Sequence, residues 1–132
     1  MRNATWAILC LSLWTLPGHG QVDDQAPTVV ETSPANGSEN VDPGLDAISV
    51  TFSEPMHDRS WSWAYKNRDA FPEITADPSY DASFTVNTLP VRLEPHRRYE
   101  IWLNTSRYQG FVDRAGNPLH PYRWIFTTGA PR

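Results

Sequence analysis

Apolar and polar residues alternate in several short runs along the chain, and this period of two predicts β-strands with one buried face. The clearest apolar sets are Ile48, Val50 and Phe52; Leu89, Val91 and Leu93; Tyr99, Ile101 and Leu103; and Tyr122, Trp124 and Phe126. Residues 27–33 are β-branched and bounded by prolines, which predicts a first edge strand. About seven strands joined by Pro- and Gly-rich turns predict an all-β, antiparallel β-sandwich with Greek-key connections.

The middle of the chain follows this pattern less well. Trp61, Trp63 and Tyr65 alternate and predict a third strand that carries all three rings on one face. Charged residues and prolines interrupt residues 66–80, so we expect an irregular connection there with at most one short strand.

The spacing Leu93-x-Pro95-x-x-x-Tyr99 matches the tyrosine corner of Greek-key sandwiches, in which a Tyr hydroxyl bonds backbone a few residues upstream. Proline ends the preceding strand because it has no N–H to donate. The motif therefore predicts a turn between two core strands.

The first twenty residues differ in character from the rest. A positive start at Arg2, an apolar run from Ala4 to Leu16 and a small-residue end at Gly20 predict a secretory signal peptide over residues 1–20. The alternative is a retained anchor, although the run is shorter than the ~20 residues of a typical membrane span. We expect a polar lead-in over 21–26 and one sandwich domain over 27–129.

The cysteine content and the net charge exclude several kinds of site and partner. The one cysteine, Cys10, lies inside the predicted signal peptide, so residues 21–132 contain no disulfide, thiolate zinc ligand or cysteine nucleophile. They carry 10 Lys and Arg against 15 Asp and Glu, a net charge of −5. An acidic domain without a basic run predicts no nucleic-acid partner, and we expect no membrane insertion after signal cleavage.

Five stretches, taken in order, resemble the SbsA-type bacterial Ig-like domain family. They are 27–37 (PTVVETSPANG), 48–56 (ISVTFSEPM), 93–99 (LEPHRRY), 111–119 (FVDRAGNPL) and 122–129 (YRWIFTTG). The resemblance implies an Ig-like sandwich that serves as an accessory module of secreted or surface proteins, and it implies no catalytic residues. Two features depart from the family pattern: His96 stands where Gly is usual, and the stretch from Trp61 to Tyr80 is unusually rich in Trp and Pro.

Period two also predicts which residues of the last strands face outward. Trp102 on one strand, with Arg123 and Ile125 on the next, should form one amphipathic patch and are our first candidate binding residues. Alternatively, residues 66–80 fold over this patch.

Aromatic residues suggest a second surface. Trp61, Trp102 and Tyr108 are candidates for stacking on sugar rings, because flat apolar faces match the CH faces of pyranoses. Trp63 is more typical of a core tryptophan, since Ig-like sandwiches bury one between their sheets.

Metal and catalytic chemistry find little support. Asp113 and Asn117, with Glu54, could offer oxygens to calcium, but the run Asp113-Arg-Ala-Gly-Asn117 is sufficient as a turn and lacks the spacing of an EF-hand loop. No nucleophile elbow or metal-ligand spacing of histidines occurs in the sequence. We therefore expect no cofactor, no metal, no catalytic residues and no enzyme activity.

The resulting hypothesis is a secreted, periplasmic or cell-surface module of the bacterial envelope that docks on an envelope or extracellular protein, or acts as an adhesive or spacer domain. The alternative is a module that binds cell-wall or extracellular polysaccharide through exposed Trp and Tyr side chains.

Overall fold

The computed structural model describes residues 23–132, and within them the chain forms eight β-strands and one turn of 3-10 helix. The predicted signal peptide lies outside the described residues. The elements, in chain order, are β1 (Val29–Ser33), β2 (Ala47–Phe52), β3 (Trp63–Ala64), the 3-10 turn (Arg68–Ala70), β4 (Glu73–Ile74), β5 (Ser79–Tyr80), β6 (Val86–Arg92), β7 (Arg98–Leu103) and β8 (Tyr122–Thr127).

Two antiparallel sheets face each other. The larger one has the order β1-β2-β6, with the two short strands β4 and β5 both paired to the far edge of β6. The smaller one has the order β3-β7-β8. This arrangement confirms the predicted all-β sandwich.

The core lies between the sheets and is built by the inward half of each alternating strand. Every second residue of β2, β6, β7 and β8 is buried, and Trp124 and Phe126 are fully enclosed. The buried apolar residues form one continuous cluster, which includes Met56, Phe111 and Leu119 from the connecting loops. The strands therefore form where period-two patterning supplies an apolar face.

One side of the sandwich is closed by backbone pairing. The segment that follows β1 runs along the outer edge of β8, where Gly37 N donates to Ile125 O at 2.6 Å and Val41 N donates to Thr127 O at 3.0 Å. Asn36 adds side-chain bonds to the same edge, because its amide accepts from Ile125 N at 2.8 Å and donates to Arg123 O at 2.9 Å. The opposite side, where β3 faces β4 and β5, carries no such cover among the residues described.

The tyrosine corner is present as predicted. Tyr99 is buried and its hydroxyl accepts a hydrogen bond from the backbone N–H of Glu94 at 2.8 Å. Leu93 is buried beside the corner, and Pro95 is exposed on the turn. His96 has φ of 54°, a left-handed conformation in which a Cβ is strained.

Two sequence predictions need correction. The third strand is only Trp63–Ala64, since Trp61 and Tyr65 lie beyond the two pairs with β7. Residues 66–80 contain the 3-10 turn and two short strands where we expected at most one. Both strands have two residues, too few for an alternating pattern to be visible in the sequence.

Candidate functional site

The outward-facing side chains of β7 and β8 form one surface, here called the outer face. Trp102 pairs directly with Arg123 across the two strands, and Glu100 pairs with Ile125. Trp102 and Ile125 are half-buried, whereas Arg123 is exposed. The structure thus brings together the three residues that alternation assigned to this patch.

Glu100 organises the polar part of the outer face. Its carboxylate accepts from the indole Nε1 of Trp102 at 3.0 Å and from Nε of Arg123 at 3.1 Å, and it lies 3.7 Å from a guanidinium nitrogen of Arg98. The hydrogen bond from Arg123, supported by the Trp102 indole and the two positive charges, lowers the pKa of Glu100 despite its partial burial. The charged form of Glu100 therefore fixes the ring plane of Trp102.

Lys66 completes this surface. Its Nζ lies 3.8 Å from the centroid of the Trp102 ring, within the range of a cation–π interaction. The 3-10 turn that follows packs against β7, and Asp69 O accepts from the Arg97 guanidinium. The connection then continues to the other sheet, where β4 and β5 pair with β6.

The other two candidate residues, Trp61 and Tyr108, lie on a different surface. Both line a cleft of about 550 Å³, here called the edge cleft, between β3 and the short strands of the larger sheet. Tyr108 is 55% exposed. The five candidates therefore divide between two sites.

Gly110 explains how Trp61 and Tyr108 come to line the same cleft. Its N–H donates to Ser62 Oγ at 2.7 Å, and a Cβ at this position would clash with the carbonyl oxygen of Trp61. Only glycine allows the loop after β7 to approach the Trp61–Ser62 backbone so closely. The loop carries Tyr108 to the mouth of the cleft.

Trp61 and Trp63 are both half-buried against the core cluster, but they contact different neighbours. Trp63 packs edge-on against Phe111 at 5.7 Å between ring centroids, and its Nε1 donates to Asn87 Oδ1 at 2.9 Å. Trp61 lies 6.1 Å from Tyr80 and is half-buried at the edge of the sandwich. Trp63 thus reaches the core cluster from the floor of the cleft.

The Asp113 region forms the turn that the sequence favours over a calcium loop. Asp113 is fully buried, and its carboxylate accepts from the backbone N–H groups of Ala115 at 3.0 Å and Asn117 at 2.8 Å. Glu54 and Asp23 each place one carboxylate oxygen within 4.8 Å of it. Burial, followed by the charges of Asp113 and Asp23, raises the pKa of Glu54. Calcium takes six to eight oxygens, so these three carboxylates would form only part of its ligand set.

Sequence reasoning did not identify several contributors to these surfaces. Lys66, on the outer face, carried no signal because it lies outside the alternating strands. Ile74, Asp77 and Pro78 line the edge cleft through residues 66–80, where the pattern breaks down. Asn104 begins an Asn-Thr-Ser sequence, which matches the sequon for N-glycosylation. It is fully buried, and its side chain donates to Phe111 O and Leu119 O at 3.0 Å each.

The topology and the tyrosine corner define an antiparallel sandwich of the immunoglobulin-like class. A sequence profile of the bacterial Ig-like domain family matches residues 23–128, and the chain belongs to that family. No curated protein matches the chain.

Solved structures with a similar fold include three of the S-layer protein SbsC. Its crystal structure, the structure of its domains 1–6 and that of its N-terminal part each share 18% identity with this chain at a TM-score of 0.51. Each alignment covers 82% of this chain, but 14% of the first two chains and 24% of the third. This chain therefore corresponds to a small part of those proteins, and the likeness concerns the fold.

Within residues 23–132, no helix has the length and apolar character needed to cross a membrane.

Proposed function

We propose that this protein is a non-catalytic docking module, secreted to the periplasm or surface of a bacterium, that binds an envelope or extracellular protein through its outer face. Membership of the bacterial Ig-like domain family supports the envelope setting, and so does the likeness of fold to a surface-layer protein. The resemblance of the sequence to SbsA-type domains is consistent with the same setting.

The observation that carries the proposal is the fixed position of Trp102 on the outer face, among charged side chains and beside Ile125. The indole is held from its edge by Glu100 and from its face by Lys66. Trp and Arg are the residues most enriched at the energetic centres of protein interfaces. A ring that is already positioned loses little conformational freedom on binding, which favours affinity.

Charge on the outer face supports a protein partner rather than a nucleic acid. Arg98 and Arg123 flank a single carboxylate, Glu100, and Lys66 lies over the neighbouring Trp102 ring. Such a small mixed-charge ring around an apolar centre resembles the polar rim of protein–protein interfaces. It lacks the extended basic stripe that backbone phosphates require.

Trp102→Ala tests the proposal. We expect the affinity for a captured envelope protein to fall by about 2 kcal/mol, as for a hot-spot residue. The melting temperature should change little, because Trp102 lies outside the buried core cluster. The matched control is Val30→Ala, at a 64% exposed position on β1 in the other sheet, which should bind like the parent.

Pull-down from envelope extracts, with melting curves for each variant, provides the measurement. Equal retention of the partner by Trp102→Ala and the parent would contradict docking through the outer face. A large loss of stability in Trp102→Ala would show that the ring belongs to the core. The non-catalytic part of the proposal predicts no turnover of ester, glycoside or peptide substrates by the purified chain.

A further inference from the structure

The edge cleft is the centre of a longer groove along the open side of the sandwich. It shares Tyr65 and Ile74 with a depression of about 510 Å³ on one side. It shares Trp61 and Pro78 with a depression of about 420 Å³ on the other. The three depressions, here called the edge groove, therefore form a row. An elongated groove fits a linear chain better than a compact small molecule.

Aromatic side chains occur along the whole edge groove. Besides Tyr99 and Trp63, whose rings pack in the core, they are Phe71, Tyr65, Trp61, Tyr108, Tyr80 and Phe84. Tyr65 and Tyr108 are 42% and 55% exposed, so each still presents ring surface to solvent. Exposed aromatic surface in a concave site is typical of ligand binding. Rings at intervals along a groove suit a polymer whose repeating units each offer a flat apolar face.

Charges of both signs line the edge groove. Arg92 is paired with Glu73 at 2.6 Å, and Arg97 is paired with Glu94 at 2.9 Å, both beside the first depression. The other charged lining residues are Arg68 in the first depression, Asp77 in the central cleft, and Asp58, Arg59 and Asp81 at the far end. This rim offers both donors and acceptors without a field of one sign, so its electrostatics complement an uncharged ligand rich in hydroxyl groups.

The far end of the edge groove also holds two strained residues. Arg59 and Phe84 have φ of 62° and 60°, in the left-handed region that side chains of this size seldom adopt. Such conformations persist where surrounding structure imposes them, and they cluster at ligand sites. Most of the edge groove is built by residues 61–84, which include the Trp- and Pro-rich stretch in which the sequence departs from its family pattern.

We propose that the edge groove binds a linear, uncharged polysaccharide, with Trp61, Tyr65 and Tyr108 stacking on sugar rings and Asp77 accepting from hydroxyl groups. This goes beyond protein docking, because the outer face and the edge groove share no residue named as a ligand contact. One domain would then link a glycan to an envelope protein. Either activity can fail without the other.

The experiment is a titration of the purified chain with neutral hexasaccharides of β-1,4-glucose, β-1,3-glucose and β-1,4-N-acetylglucosamine. We expect a blue shift of tryptophan emission with at least one of them, and displaced indole N–H resonances of Trp61 and Trp63 in NMR spectra. Tyr108→Ala should weaken that binding about tenfold, as expected for the loss of one central aromatic contact. Because Tyr108 is exposed on a loop, the variant should keep the melting temperature of the parent.

One control variant and one further test variant show whether binding depends on the edge groove. Val30→Ala should bind the hexasaccharide like the parent, because Val30 lies on β1, away from the edge groove. Asp77→Asn should weaken binding while leaving the fold intact, since Asp77 is exposed.

Three results would overturn the proposal. The first is no binding to any neutral hexasaccharide at millimolar concentration. The second is equal or tighter binding to an acidic oligogalacturonate. The third is binding to decaproline alone, which would assign the aromatic surface to a proline-rich protein segment.

Discussion

His96 illustrates how one residue can conflict with the backbone that it occupies. It follows the corner proline with φ of 54°, at the position where the resemblance leads us to expect Gly. Its backbone N–H still donates to Gly129 O at 3.0 Å, so the turn is kept in spite of the strain. The presence of His rather than Gly at position 96 therefore strains the backbone of the turn.

Removing that strain should stabilise the domain. We predict that His96→Gly raises the free energy of unfolding by ~1 kcal/mol, because glycine adopts left-handed conformations without the Cβ clash. Urea denaturation followed by tryptophan fluorescence measures the change. His96→Ala is the control and should give no gain, since it keeps the Cβ. Equal stabilities for the Gly variant and the parent would show that the turn relaxes at no cost.

Glu100 should make the stability of the domain depend on pH. Its pKa is lowered in the folded state, so its contribution is present above the ordinary glutamate pKa and is lost as pH falls through the folded value. We predict that Glu100→Gln lowers stability at pH 7 by up to ~1 kcal/mol, the usual size for a partly exposed ion pair. The difference should vanish in strong acid. Parallel stability profiles of parent and variant from pH 7 to pH 2 would contradict this assignment.

The sequence predicts side-chain direction well at this scale and backbone strain poorly. Outward positions of Trp102 and Arg123 follow from strict alternation within regular strands. The left-handed conformations of Arg59 and Phe84 carry no local signal, because neither residue type prefers them.

The tyrosine corner between β6 and β7 is the element whose hydrogen bond the sequence motif predicts most directly. Tyr99 anchors it through one hydrogen bond, from Glu94 N–H at 2.8 Å. The ring also packs against Phe126 of β8 at 5.5 Å between centroids. The corner thus joins the two sheets at the point where the chain passes between them.

Tyr99→Phe isolates that hydrogen bond, because the ring and its packing remain. We predict a loss of ~1 kcal/mol in the free energy of unfolding, rising toward ~3 kcal/mol if the Glu94 N–H is left without water. Tyr108→Phe is the matched control and should leave stability unchanged, since its ring lies exposed on a loop. A Tyr99→Phe variant as stable as the parent would mean that the hydroxyl does not support the corner.

Strand length explains which elements the sequence could predict. Strands of six or seven residues, such as β2 and β6, show two or more full repeats of the buried pattern. The two-residue strands β4 and β5 show none, and they pair only because β6 offers them an edge. Tertiary context therefore decides the structure of residues 66–80.

At the scale of the whole molecule, the sandwich separates two surfaces that sequence reasoning treated together. Trp61 and Tyr108 lie in the edge cleft, whereas Trp102 lies on the outer face. Alternation of apolar and polar residues predicts which face of a sheet a side chain occupies. It does not predict which loop packs next to that side chain. The outer face was therefore predictable from two neighbouring strands, and the edge groove was not.

Protein docking through the outer face is tested most directly by photo-cross-linking in living bacterial cells. A photoreactive phenylalanine analogue at Ile125, next to Glu100 and Arg123, samples the outer face itself, and the same analogue at Val30 samples the other sheet. We predict one discrete protein adduct from position 125, absent from position 30 and lost when Trp102→Ala is added. No adduct from position 125, or the same adducts from both positions, would contradict docking through this face.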